Sequence, residues 1–75
     1  MTLDALPRGR EALIVEIVGE PAFKRRLLEL GFTRGTVILR LGQSPLGDPL
    51  TYRLRNVTVA LRAVDAANII VTPKR

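Results

Sequence analysis

Apolar and polar positions along this 75-residue chain alternate in short blocks, and the period of the alternation changes once. Ala12 to Val18 reads Ala-Leu-Ile-Val-Glu-Ile-Val, a short β-branched run that predicts a strand ended by Gly19. From Pro21 to Leu30 the period lengthens. Phe23, Leu27 and Leu30 fall at i, i+4 and i+7, on one face of a helix. Pro21 suits the first helical position, where a backbone N–H is not needed. Gly31 supplies a left-handed residue after the helix, and Phe32 is placed to pack back on Leu27. Leu28 lies off the apolar stripe; the expectation is that the segment carrying Leu3 and Leu6 covers it, the alternative being exposure for a partner.

Beyond the turn predicted at Thr33-Arg34-Gly35-Thr36, with Gly35 at positive φ, the strand period returns. Val37 to Leu41 is a second strand, with Val37, Leu39 and Leu41 on one face and Ile38 and Arg40 on the other. That parity leaves two alternatives: the strand is apolar on both sides, or another chain covers its outer face. Leu50 to Arg55 and Val57 to Leu61 give strands three and four, joined tightly at Asn56, which tolerates the left-handed conformation. Arg62 to Ala67 predicts a short helix with a weak N-cap, and Ile69 to Thr72 a closing strand. Met1 to Arg10 is a lead-in punctuated by Pro7 and Gly9. The expected fold is mostly β, a small, partly open SH3-like barrel of five short strands, one helix and a helical turn. Residues 1–75 form a single domain.

Composition narrows the chemistry. Cysteine and histidine are both absent. Ordinary zinc, iron–sulfur and haem sites therefore lack their ligands, and no Ser-His-Asp or Cys-His arrangement can form. The chain is expected not to be an enzyme and to hold no cofactor or tight metal. Asp48, Glu16, Glu20, Glu29 and Asp65 are the candidate oxygen ligands, which suit a ferrous ion poorly without imidazole or thiolate. Twelve basic against seven acidic residues give a net charge of +5, which invites nucleic acid, an anionic membrane surface or an acidic protein. One Tyr, two Phe and no Trp are few for stacking bases or lining a proline-peptide groove, so neither nucleic acid nor proline-rich peptide is favoured. No segment approaches the roughly 18 apolar residues of a membrane span, and Asp4, Arg8, Arg10 and Glu11 interrupt any signal layout. The expectation is a soluble, cytoplasmic protein with no direct membrane insertion.

An ordered set of residues carries a family resemblance. It comprises Leu3, Leu6 and Gly9, then Ile14 and Ile17, then Arg26-Leu27-x-x-Leu30-Gly31-Phe32 with Gly35 and Ile38. The most specific piece is Pro45-Leu46-Gly47-Asp48-Pro49-Leu50, followed by Leu61-Arg62, Ala66 and Ile69-x-Val71. With these the chain resembles the ferrous iron transport protein A family (FeoA) along essentially its whole length. It departs at Arg34, where the family usually has Pro, and at Arg40, where it usually has an apolar residue. The resemblance implies a cytoplasmic SH3-like barrel, accessory to the ferrous iron permease, a membrane GTPase-coupled transporter whose cytoplasmic part it binds. It also extends to the SH3-like C-terminal domain of some metal-dependent repressors. A repressor-type regulatory domain or a nucleic-acid-associated barrel is therefore the alternative.

The candidate partner-binding residues are Pro45, Leu46, Gly47, Asp48 and Pro49, a loop fixed in advance by two prolines with Leu46 as an apolar anchor. The competing reading makes the loop a structural turn with Leu46 folded onto the core. Arg53 and Arg55, expected on one strand face, are the leading cationic pair, and Arg26 marks a second surface on the helix. The parity around Ile38 and Arg40 also points to weak homo-oligomers, or to a surface used by the permease.

Overall fold

A computed structural model describes residues 1–74. The strands are β1 (Glu11–Ile17), β2 (Val37–Gln43), β3 (Leu50–Leu54), β4 (Val57–Leu61) and β5 (Ile69–Pro73), with helices α1 (Pro21–Glu29) and α2 (Ala63–Ala66). All strand pairs are antiparallel, in the order β4-β3-β2-β1-β5, giving the mostly β architecture expected of a partly open barrel. The free side of β5 is closed by the chain start. The Met1 amino group donates to the Val71 carbonyl at 3.1 Å, the Val71 N–H donates to the Met1 carbonyl at 2.8 Å, and Thr2 bridges Ile70.

The core follows from alternation with two irregularities. On β1 the register shifts between Ile14 and Glu16, so Val15 is an extra residue. The bulge switches parity, and Ala12, Ile14 and Ile17 all face inward. On β2 a second shift lies between Arg40 and Gly42, and the strand runs on to Gln43 rather than ending at Leu41. Its inner residues are Ile38 and Arg40; Val37, Leu39 and Leu41 face outward, half-buried. The inner face of β2 thus carries Ile38 and the polar Arg40, and its outer face the apolar Val37, Leu39 and Leu41.

Arg40 is only 8% exposed, and all three ends of its guanidinium are occupied. Nη1 donates to the Leu6 carbonyl at 2.9 Å, Nη2 to Gln43 Oε1 at 2.8 Å, and Nε to the Gly42 carbonyl at 3.2 Å. Burial of the charge is tolerable because each of the three guanidinium nitrogens has an acceptor. Beside it Tyr52 is fully buried and donates its hydroxyl to the Leu3 carbonyl at 3.2 Å. These two side chains anchor a 3-10 turn at Leu3–Ala5 that the lead-in did not predict. Leu3 and Leu6 are therefore core residues of the barrel.

Helix α1 begins on Pro21 as expected and ends in a Schellman cap. Phe32 N–H donates to the Leu27 carbonyl at 3.0 Å and Gly31 N–H to the Leu28 carbonyl at 3.0 Å, with Gly31 at φ 103°. Leu27 and Phe32 are buried and Phe23 packs against the core. The stripe is narrower than predicted, because Leu30, at the C-cap, is exposed.

Candidate functional site

The segment from Ser44 to Pro49 is tied at its base. Ser44 N–H donates to the Pro49 carbonyl at 3.1 Å, Ser44 Oγ donates to the Asp48 carbonyl at 2.6 Å, and Gly47 N–H donates to the Ser44 carbonyl at 2.8 Å. Gly47 has φ 91°, a conformation that any side chain would strain. This frame lifts Leu46 into solvent, 95% exposed, so the competing reading in which it folds onto the core does not hold. Pro45 and Pro49 flank it, both exposed.

Asp48 has a local task. Its Oδ1 accepts the Ala63 N–H at 2.9 Å, the first N–H of α2. The weak N-cap expected at Arg62 is thus replaced by a carboxylate from 15 residues upstream. The loop is thereby fastened to the connection between β4 and β5.

The cationic pair is arranged differently from the sequence expectation. β3 ends at Leu54, and Arg55 lies in the turn at φ 51° beside Asn56 at φ 64°. Two successive left-handed residues make a two-residue type I′ hairpin, so Arg55 is not the next outward residue of the strand. Its guanidinium reaches across Gly31, and Nη2 donates to Thr33 Oγ1 at 3.1 Å and Thr36 Oγ1 at 3.2 Å. Arg53 remains on the outer strand face. The two still meet, lining a shallow groove of about 220 Å³ with Glu11, Val37, Leu39 and Asn56. Arg26 stands apart from them, its guanidinium carbon 5.9 Å from the centre of the Phe23 ring.

A second groove, of about 270 Å³, was not foreseen. It runs between β1 and α1 over Ile14, Val15, Ile17, Leu28 and Phe32, with Lys24, Arg34 and Glu16 at its rim. Leu28 is half exposed here, and the Leu3–Leu6 segment does not cover it because that segment is committed to the Arg40–Tyr52 end of the barrel. The off-stripe position of Leu28 was the available signal.

Ion pairs leave the surface positive. Among the described residues only Arg62–Asp65 at 3.5 Å and Lys74–Glu11 at 3.8 Å are paired. No group of three or more His, Cys, Asp or Glu side chains among them could hold a metal. Among the described residues no helix is long and apolar enough to cross a membrane.

In the solution structure of FeoA from Chlorobium tepidum the same fold recurs with a TM-score of 0.94 at 33% identity, covering 100% of this chain and 71% of that one. The Stenotrophomonas maltophilia FeoA crystal structure, described as a prokaryotic SH3 domain protein and complexed with zinc, matches with a TM-score of 0.85 at 30% identity, covering 100% and 96%. The donor set of this chain, without His or Cys, does not fit a resident zinc site. A Porphyromonas gingivalis protein that fuses Fe(2+) transport protein A to the transporter FeoB is 42% identical over 69 residues, which are 92% of this chain and 8% of that protein. The family described as the FeoA domain matches residues 1–73, and with its SH3-like barrel this chain belongs to that family.

Proposed function

We propose that this chain is a non-enzymatic accessory protein of ferrous iron uptake, located in the cytoplasm, which docks on the cytoplasmic part of the ferrous iron permease. The observation that carries the reading is the Porphyromonas gingivalis relative, in which the corresponding domain and the transporter FeoB are one polypeptide. Domains joined in one polypeptide commonly act on one another, because fusion raises their effective concentration without new contacts.

The docking face centres on Leu46. An apolar side chain held in solvent by a tied frame loses little entropy on binding. Pro45, Gly47 and Pro49 fix its position, and Asp48 holds the frame to α2. Arg53 and Arg55 supply positive charge for acidic groups on the permease, and the α1 surface around Arg26 is a second contact. With one Tyr, two Phe and no Trp, nucleic acid is the weaker partner.

The test is capture of the permease's soluble domains by the immobilised full chain, with and without guanine nucleotide. Capture is expected, and Leu46→Ala should weaken it about thirtyfold, as loss of a central anchor does. Absence of capture, together with salt-steep binding to duplex or single-stranded nucleic acid, would move the protein to the nucleic-acid class.

A further inference from the structure

The two edges of the sheet are treated differently. β5 is covered by Met1 and Thr2, whereas among the described residues β4 has no neighbour on its outer side. The hairpin geometry decides which groups β4 leaves free. A two-residue type I′ turn closes on a hydrogen-bonded pair, here Leu54 and Val57. Val59 and Leu61, opposite Tyr52 and Leu50, then also direct their N–H and C=O groups at β3. Thr58 and Ala60 direct theirs outward, and both residues are exposed. Among the described residues no backbone hydrogen bond outside the strand ladder reaches Val57 to Leu61.

Edge strands are ordinarily blunted by a charge, a proline or a bulge. β4 reads Val-Thr-Val-Ala-Leu and pairs with β3 without a register shift, so it carries none of these devices. Val57 is 48% exposed and Val59 half-buried, which leaves an apolar margin on the inner side of the edge. Arginines bracket the strand. Arg53 lies directly opposite Thr58, Arg55 precedes the strand and Arg62 follows it. The acidic groups nearby are Asp65, paired with Arg62, Glu11 in the Arg53 groove, and Asp48, which caps α2.

We infer that β4 is a strand-addition site whose occupant is an extended partner segment alternating apolar and acidic residues. Its backbone pairs with the outward groups of Thr58 and Ala60, its apolar residues cover Val57 and Val59, and its carboxylates meet Arg53, Arg55 and Arg62. A second copy of the chain is the poorer occupant. Antiparallel pairing of two β4 strands sets Arg55 of each copy beside Arg62 of the other, between bodies of charge +5 each. The inference deepens the docking reading, since the loop carrying Leu46 is fastened by Asp48 to the residues that follow β4.

The probe is a synthetic peptide of about eight residues alternating Val and Glu, with a Val–Lys peptide of equal length as control. Amide hydrogen exchange is followed residue by residue on the full chain. The Val–Glu peptide is expected to slow exchange at Thr58 and Ala60 by about tenfold. The control should not, and Ala60→Pro, which removes one outward N–H, should abolish the effect. If Ala60→Pro does not fold, N-methylation of the Ala60 nitrogen in a chemically synthesised chain removes the same donor. No slowing, equal slowing by the Val–Lys peptide, or slowing confined to the groove between β1 and α1 would overturn the inference. Protection of Thr58 and Ala60 that grows with protein concentration without peptide would assign the edge to a second copy instead. Permease capture that survives loss of the Ala60 donor would leave the docking reading standing and remove β4 from it.

Discussion

At the scale of single residues, Arg40 and Tyr52 account for how so small a barrel holds its chain start. Arg40 serves the Leu6 carbonyl, and Tyr52 the Leu3 carbonyl. Arg40→Ala removes three hydrogen bonds made by a charged group and leaves a buried carbonyl unpaired, an expected loss of about 2 kcal/mol or more in urea denaturation. Arg40→Lys should recover only part of it, because an ammonium lacks the planar fork that reaches three acceptors. Burial pushes the Tyr52 hydroxyl up to about 12; the neighbouring Arg40 charge opposes this and Asp4 adds to it. The unfolded hydroxyl ionises near about 10, so above that pH the unfolded state loses a proton that the folded state keeps. Stability is therefore expected to be level up to the unfolded pKa and to fall between it and the folded value. Because the chain has one Tyr, ultraviolet absorbance of tyrosinate reads this group alone. A tyrosinate transition near the unfolded value in the folded protein would contradict the burial argument.

At the scale of elements, the loop before β3 and helix α2 form one device. Asp48 caps α2, while Leu46 on the same loop is free. Two substitutions two residues apart should then separate folding from recognition. Asp48→Ala is expected to cost about 1 kcal/mol of stability, as loss of an N-cap does. Leu46→Ala should stay within about 0.5 kcal/mol of the parent, as exposed positions do. In iron-uptake complementation the order should reverse, with Leu46→Ala the more damaging. A stable Leu46→Ala protein with normal uptake and normal permease capture would take Leu46 out of the functional account and leave the Arg53 and Arg55 groove.

On the scale of the whole molecule, the dominant feature is unneutralised positive charge. Twelve basic side chains are present, and two ion pairs occur among the described residues. Association with an acidic partner should then be steered electrostatically. Raising ionic strength shortens the screening length from about 10 Å at 0.1 M to about 3 Å at 1 M. The association rate with the permease domains is expected to fall across that range while the dissociation rate changes little, because charges at the rim act mainly on encounter. Stopped-flow kinetics over a salt series measures both, and a salt-independent association rate would exclude charge steering.

Much of the fold was legible because it rests on local rules. Alternation located five strands, Pro21 and Gly31 bounded the helix, and Gly35 and Asn56 marked turns, since backbone sterics near these residues do not depend on the rest of the chain. The absence of His and Cys is likewise a property of composition, and it removes the ordinary ligands of zinc, iron–sulfur and haem centres whatever the fold. Tertiary structure decided what depends on partners distant in sequence. Arg40 is inward only because Leu6, from 34 residues away, offers it a carbonyl, and Asp48 caps a helix only because the loop folds onto it. Arg55 left the strand because the hairpin needed two left-handed residues, and its guanidinium was then taken by Thr33 and Thr36. Leu28 and the β4 edge are exposed because the chain start closes β5 and the Arg40 end of the barrel rather than either of them. Sequence determines which residues seek burial or pairing; the closed path of the chain determines which of them find it.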